Sequence, residues 1–150
     1  MTLQPYSVFG DPKEILLALS GKHHLPELLP LAVRMLGHDP RIALVRIWLL
    51  KPPEPGDCGR CAMVAECPDR RQCLQLASSF GRSRVDPRQH WEGTEGSFRR
   101  MPIGVRKVGH VAASGQPIRL DVALDSDWIV RPEWVRDEGI VAFQGMPLRY

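Results

Sequence analysis

Cysteine is missing from all 134 positions outside the window 58–73, which holds all four copies. Aromatic residues are few, at 7% of the chain with two tyrosines. No apolar run approaches the roughly 18 residues of a membrane span; the best candidate, Ile42–Leu50, is broken by Arg46. Neither sign of charge dominates, since 20 Lys+Arg against 17 Asp+Glu leave +3, too little to argue for a nucleic-acid or membrane partner. The segment Met1–Gly10 has neither a basic start nor an apolar stretch, so no secretory signal is read there and a cytoplasmic, thiol-reducing setting is expected. A G-x-S-x-G elbow, a Walker loop and an H-E-x-x-H pair are all lacking, and the chain is expected not to be an enzyme. Repeats and low-complexity tracts are absent too. What remains is an ordinary globular composition, 43% hydrophobic and 25% charged, in a length suited to one domain (1–150) with a core.

The first 24 residues read as an N-terminal extension carrying a helix. Asp11, Pro12 and Glu14 supply a capping acid, a proline preset for the first turn and an acid at the third position, and Ser20-Gly21 is expected to end the helix at a residue tolerant of positive φ. A second helix is predicted from Leu25 to Leu36, where Leu25, Leu28, Leu29, Ala32, Val33 and Leu36 share one face, Pro30 removes a donor and Gly37 is the stop. Strands are predicted at Ile42–Leu50, Leu74–Phe80, Ile118–Val122 and Ile140–Phe143, helices at the end of Ile103–Ser114 and at Pro132–Glu138, and an irregular charged stretch up to Arg100. Helices that precede and interrupt short strands make the expected class α+β with a mostly antiparallel sheet.

Cys58, Cys61, Cys67 and Cys73 are spaced C-x2-C-x5-C-x5-C in a 16-residue window within the loop 51–73, a concentration that makes them act as a group. Disulfides are disfavoured by the expected reducing setting. Structural zinc usually takes two C-x2-C knuckles, and only one is present. A compact four-cysteine run with proline after one of them, Cys67-Pro68, is nearer to iron–sulfur binding runs. An iron–sulfur cluster is therefore expected first, as a four-iron cluster, with zinc as the alternative. Either would order the loop and stiffen the following strand, because metal-binding free energy is folding free energy.

Several segments, in order, resemble a GAF domain: Ala43–Leu49, the four-cysteine loop, Cys73–Ser78, Arg100–Gly104, Lys107–Ala112, Glu133-Trp134 and Ala142–Leu148. The resemblance covers about Leu25 to Tyr150 and is nearest to the cysteine-containing GAF domains found N-terminal in bacterial signalling proteins, enhancer-binding transcription activators and histidine kinases. It implies a sensory module with a central antiparallel sheet, flanking helices and a small-molecule pocket on one sheet face. It also implies a homodimer, and an effector domain or partner regulator as the recipient of the signal. By resemblance only, Trp91, Phe98, Gly104, Gly109, Trp128 and Trp134 are placed near that pocket. The usual two C-terminal strands after the Pro147-Leu148 segment are not expected, since the sequence stops at Tyr150.

Other residues carry weaker signals. His23 and His24 read as solvated, and His110 lies among small residues on a helix with a ligand role as the sharper reading. Arg70, Arg71, Arg82, Arg84, Arg88, Arg99, Arg100, Arg106 and Lys107 outnumber Asp69, Asp86, Glu92 and Glu95 by nine to four. That excess reads as a solvated rim or as a positive field for thiolates or an anionic ligand; no recognition helix argues for DNA. Trp48 is expected in the core, and Arg46 is expected to reach a carboxylate or the solvent face. A zinc-stabilised adaptor for protein or DNA is the reading from a different functional class.

Overall fold

The computed structural model describes residues 11–122 and 126–149. The elements run α1 (Pro12–Ser20), α2 (Leu25–Gly37), β1 (Leu44–Lys51), β2 (Cys73–Gly81), β3 (Arg100–Pro102), α3 (Arg106–Ser114), β4 (Ile118–Asp121), α4 (Pro132–Asp137) and β5 (Ala142–Gly145). Short 3-10 turns occupy Cys58–Arg60, Val64–Glu66 and Ser126–Trp128. Strand order is β1-β2-β3 in one sheet, and β4 pairs antiparallel with β5 in a second. The class is thus the expected mixed one, with antiparallel pairing and flanking helices. None of the described helices is long and apolar enough to cross a membrane. The chain divides into two compact units, one falling within Met1–Ile47 and Ala77–Gly93, the other within Trp48–Leu76 and Thr94–Tyr150.

In the first unit Asp11 caps α1, its Oδ1 accepting from the Lys13 amide at 2.9 Å. The expected left-handed stop is not used: Gly21 keeps φ −80°, and the Lys22 amide closes the turn onto the Leu19 carbonyl at 3.0 Å. Helix α2 runs one residue further than predicted and buries Leu29, Ala32, Val33 and Gly37. Gly37 therefore serves close approach and not chain reversal, because a Cβ there would collide with the Phe80 ring. His38 stacks on the same ring, centroids 5.8 Å apart. Arg46 corrects the expectation for it: Nε donates to Ser79 Oγ at 3.3 Å, and Ser79 Oγ in turn donates to the Trp91 carbonyl at 2.6 Å. The partner is a hydroxyl relay, and burial lowers the Arg46 pKa from its usual range.

The Asp39 side chain in the turn after α2 accepts from the Arg41 amide and Nε, both at 2.9 Å. Hydrogen bonds from Arg41 lower its pKa to about 2. A depressed carboxylate stabilises the fold above its unfolded pKa of about 3.9 and loses that contribution as pH falls through the folded value. Wild type should accordingly lose more melting temperature than Asp39→Asn between pH 5 and pH 2, as thermal denaturation by circular dichroism would show; parallel losses would contradict this.

The second unit is built on Met63, Leu74 and Met101, with Trp48, Cys61, Phe98, Val105, Val108 and Ala112 packed against them. Trp48 is in the core as expected, and its indole Nε1 is buried with no acceptor among the described residues. Strand β3 was not expected. Its register on β2, Cys73↔Pro102, Leu74↔Met101 and Gln75↔Arg100, puts Met101 and Leu74 side by side in that core, which outweighs the low strand propensity of an Arg-Arg lead-in. Strand β5 begins two residues later than predicted, because the Ile140 amide is used to close α4 onto the Val135 carbonyl at 2.9 Å, with Gly139 at φ +64°.

Gly109 in α3 faces the Pro102 carbonyl so closely that any Cβ would overlap its oxygen. The obstacle is backbone and has no rotamer to escape into. Gly109→Ala is expected to cost about 1–3 kcal/mol, measured by urea denaturation, whereas an unchanged midpoint would show that α3 can slide.

Candidate metal centre

After β1 the chain enters Pro52-Pro53-Glu54-Pro55-Gly56, where prolines forbid continued pairing and Gly56 takes φ +84°. Consecutive i→i+3 bonds then wind the loop. The Cys61 amide donates to Cys58 O (3.3 Å), Val64 to Cys61 O (3.1 Å) and Cys67 to Val64 O (3.4 Å). The turns Cys58–Arg60 and Val64–Glu66 each give way to extended backbone, at Cys61 and Cys67, and this winding carries Cys58, Cys61, Val64 and Cys67 round the loop. All four line a single recess together with Cys73, which opens β2. The period of three over residues 58, 61, 64 and 67 is legible in the sequence and is the signal that reading the cysteines by pair spacing overlooks.

The recess encloses about 20 Å³, inside a wider concavity of about 360 Å³ that includes open solvent. Its other walls include Pro53, Asp69, Arg70, Arg100 and Pro102. The four cysteines are free thiols, Cys73 buried and the other three half-buried. Among the described residues, no three side chains of His, Cys, Asp or Glu close on a single-ion position. Burial raises the Cys73 pKa and the neighbouring Cys61 and Cys58 add to it, against the opposing pull of Arg100 and a hydrogen bond with Gln75. Cys67 Sγ donates to the Asp69 carbonyl at 3.2 Å. Cys61 faces two ways, lining the recess and packing on the Met63–Leu74–Met101 core.

Two ion pairs anchor the loop. Asp57, immediately before Cys58, pairs with Arg100 of β3, and both side chains are nearly enclosed, at 6% and 12% exposure. Asp57 Oδ2 also accepts from the Glu54 amide at 3.0 Å, which fixes the turn leading into Cys58. Burial alone would raise the Asp57 pKa, but the Glu54 amide and the Arg100 guanidinium outweigh it and hold the carboxyl below its usual range. On the far side of the loop, Arg106 Nη2 donates to Glu66 Oε1 at 2.9 Å. Arg106 takes φ +58°, uncommon for a residue with a side chain, at the start of α3. Of the nine basic residues read from sequence, Arg100 and Arg106 are thus structural ties of the cysteine loop and Arg70 and Arg100 face its recess, while Arg71 and Arg88 pair locally with Asp69 and Asp86. Asp57 was not singled out by sequence; its partner lies 43 residues away, and no local pattern announces it.

None of the six residues placed by resemblance near a small-molecule pocket lines this recess. Gly104 and Gly109 are joined by the Gly104 amide donating to Gly109 O at 2.8 Å, in the turn before α3. Phe98 packs on the core. Trp128 stands edge-on to His110 at 5.6 Å, and its carbonyl accepts from Lys107 Nζ. Trp134 is half-buried on α4. In the first unit, the Trp91 amide donates to Gly81 O at 2.9 Å.

A family model described as GAF domain matches residues 24–150. No curated protein and no solved structure gives a significant match.

Proposed function

The chain belongs to the GAF domain family, a family of sensory and regulatory signalling domains, and on that premise we propose that its sensing element is an iron–sulfur cluster held by Cys58, Cys61, Cys67 and Cys73 for the detection of oxygen or redox change. The observation that carries this reading is the recess that all four cysteines line, three of them drawn from two successive turns and their ends and one from the first residue of β2. The donor set fits such a group: four soft thiolates are the ligands that iron–sulfur clusters take. Thiols that line one concavity are the placement such a centre needs. When bound, the cluster would supply chemistry that oxygen or an oxidant can reverse.

The chain's own residues do the rest. Arg100 and Arg70 place positive charge beside sulfurs that must be deprotonated to ligate. Asp57, locked by Arg100, sets the entry to Cys58, and Cys73 hands any ordering of the loop directly to β2, whose register on β3 carries it to Met101. Arg106 links the same loop to the first turn of α3. Loss of the ligated state would loosen these ties together, and an effector domain or a second copy of the chain would read the change. Small-ligand sensing with a structural zinc is the second reading, favoured by the enclosed volume of about 20 Å³, the room of one water-sized body.

Protein purified without oxygen is expected to be brown, with a broad visible absorption and iron and acid-labile sulfide in near-equal amounts. Exposure to air should bleach it and lower its melting temperature. Colourless protein with one zinc per chain would replace this reading by the second, and protein free of both metals would end both.

A further inference from the structure

The cysteine loop has a second concave side. Arg60, Cys61, Gly96, Ser97, Arg99 and Arg100 line an open-mouthed cavity of about 240 Å³. Its lining residues include three arginines and no acid. Outside the cavity, Asp57 matches Arg100 and the 78%-exposed Glu95 side chain matches Arg99, while Arg60 takes part in no ion pair among the described residues. Three cations with two counter-charges leave the lining with a net positive charge. Gly96 at φ +109° turns the chain so that the Arg99 amide closes onto Gly96 O at 3.1 Å, which puts Ser97 and Arg99, both lining residues, in one tight turn.

Guanidinium forks match the paired oxygens of phosphate, sulfate and carboxylate, and they bind best where water is partly excluded. We infer that this cavity is an oxyanion-binding site, with Arg60 and Arg99 as its principal cations and Ser97 as a hydroxyl partner. Arg100 is already committed to Asp57 and serves as the wall shared with the thiol recess; Cys61 is the other shared residue. An anion here is therefore felt where the thiols meet. The binding itself stands apart from the sensor reading above, and only this coupling rests on it.

Inorganic phosphate and glycerol phosphate, titrated into the whole chain by isothermal calorimetry at ionic strength held constant with chloride, test the site. One saturable site is expected. Arg60→Ala and Arg99→Ala should each weaken binding at least tenfold, Arg60→Lys less, and Arg119→Ala on β4 not at all. Tighter binding of phosphate points to a free inorganic ion, tighter binding of the ester to a phosphorylated metabolite, and either outcome upholds the site. Absence of saturation, or affinity unmoved by both alanine variants, overturns it. Because Arg99 lies outside the cysteine loop, its variant keeps the test valid if Arg60→Ala misfolds. For the coupling, phosphate affinity should differ at least threefold between metal-loaded and metal-free protein; equal affinities would remove the coupling and leave the site. A chain that binds phosphate through Arg60 and Arg99 but never takes up metal would uphold the site and overturn the sensor reading.

Discussion

Cys61→Ser protein, purified without oxygen, is expected to retain almost none of its metal and to melt about 10 °C below wild type. Serine preserves the shape of cysteine but not a soft, deprotonated sulfur, so one ligand of four is lost and the remaining three are left to compete with water. Binding free energy that orders the loop is folding free energy, and about 3 kcal/mol corresponds to roughly 10 °C for a chain of this length. Cys61 also packs on the Met63–Leu74–Met101 core, so the comparison needs a reference that isolates packing. Treatment of both proteins with a chelator supplies it: the melting temperatures of metal-free wild type and metal-free Cys61→Ser should fall within about 3 °C of each other. A gap of 10 °C that survives chelation would assign the effect to packing and take Cys61 out of the ligand set. Cys67→Ser provides a second check, since Cys67 lines the recess without belonging to that core.

Asp57→Asn is expected to behave differently, lowering the melting temperature by about 10 °C with or without metal. Removal of one member of a buried ion pair strands the other charge, a loss larger than the net worth of the pair. Here the stranded group is the Arg100 guanidinium, 12% exposed and beside the cysteine recess. The double variant Asp57→Leu/Arg100→Met should recover much of the lost stability, because it removes both desolvated charges. Its metal content should stay low, since the turn that places Cys58 loses the Asp57 acceptor for the Glu54 amide. Thermal melts and metal analysis on wild type, Asp57→Asn and the double variant decide the matter. A double variant as unstable as the single one would show that the pair holds the loop by geometry and not by charge balance.

What the sequence disclosed and what it withheld separate along physical lines. Helices α1 and α2 were legible from capping acids, prolines and a 3.6-residue apolar face, and β1, β2 and β4 from branched and apolar runs bounded by Gly and Pro. Strand β3 was not, because three residues led by arginine form a strand only through pairing with β2 and burial of Met101. The roles of glycines were partly misread for the same reason. Gly21 does end α1, though by a local turn and without a left-handed φ, whereas Gly37 is set by tertiary packing on Phe80, some forty residues downstream. Gly115, by contrast, does take φ +62° after α3, where a local rule is enough. At the site, clustering alone marked the four cysteines as a group. Neither Asp57 with Arg100 nor the shared walls of the two cavities could be seen, because each depends on contacts across 40 or so residues.

X-ray absorption at the metal edge of anaerobically purified protein reads the ligand shell of the centre directly. Iron coordinated by sulfur alone is expected, with a short iron–iron distance and a sulfur count that includes one thiolate from each of the four cysteines. Iron or zinc surrounded mainly by nitrogen and oxygen, or a sulfur shell unchanged in Cys67→Ser and Cys73→Ser, would contradict it.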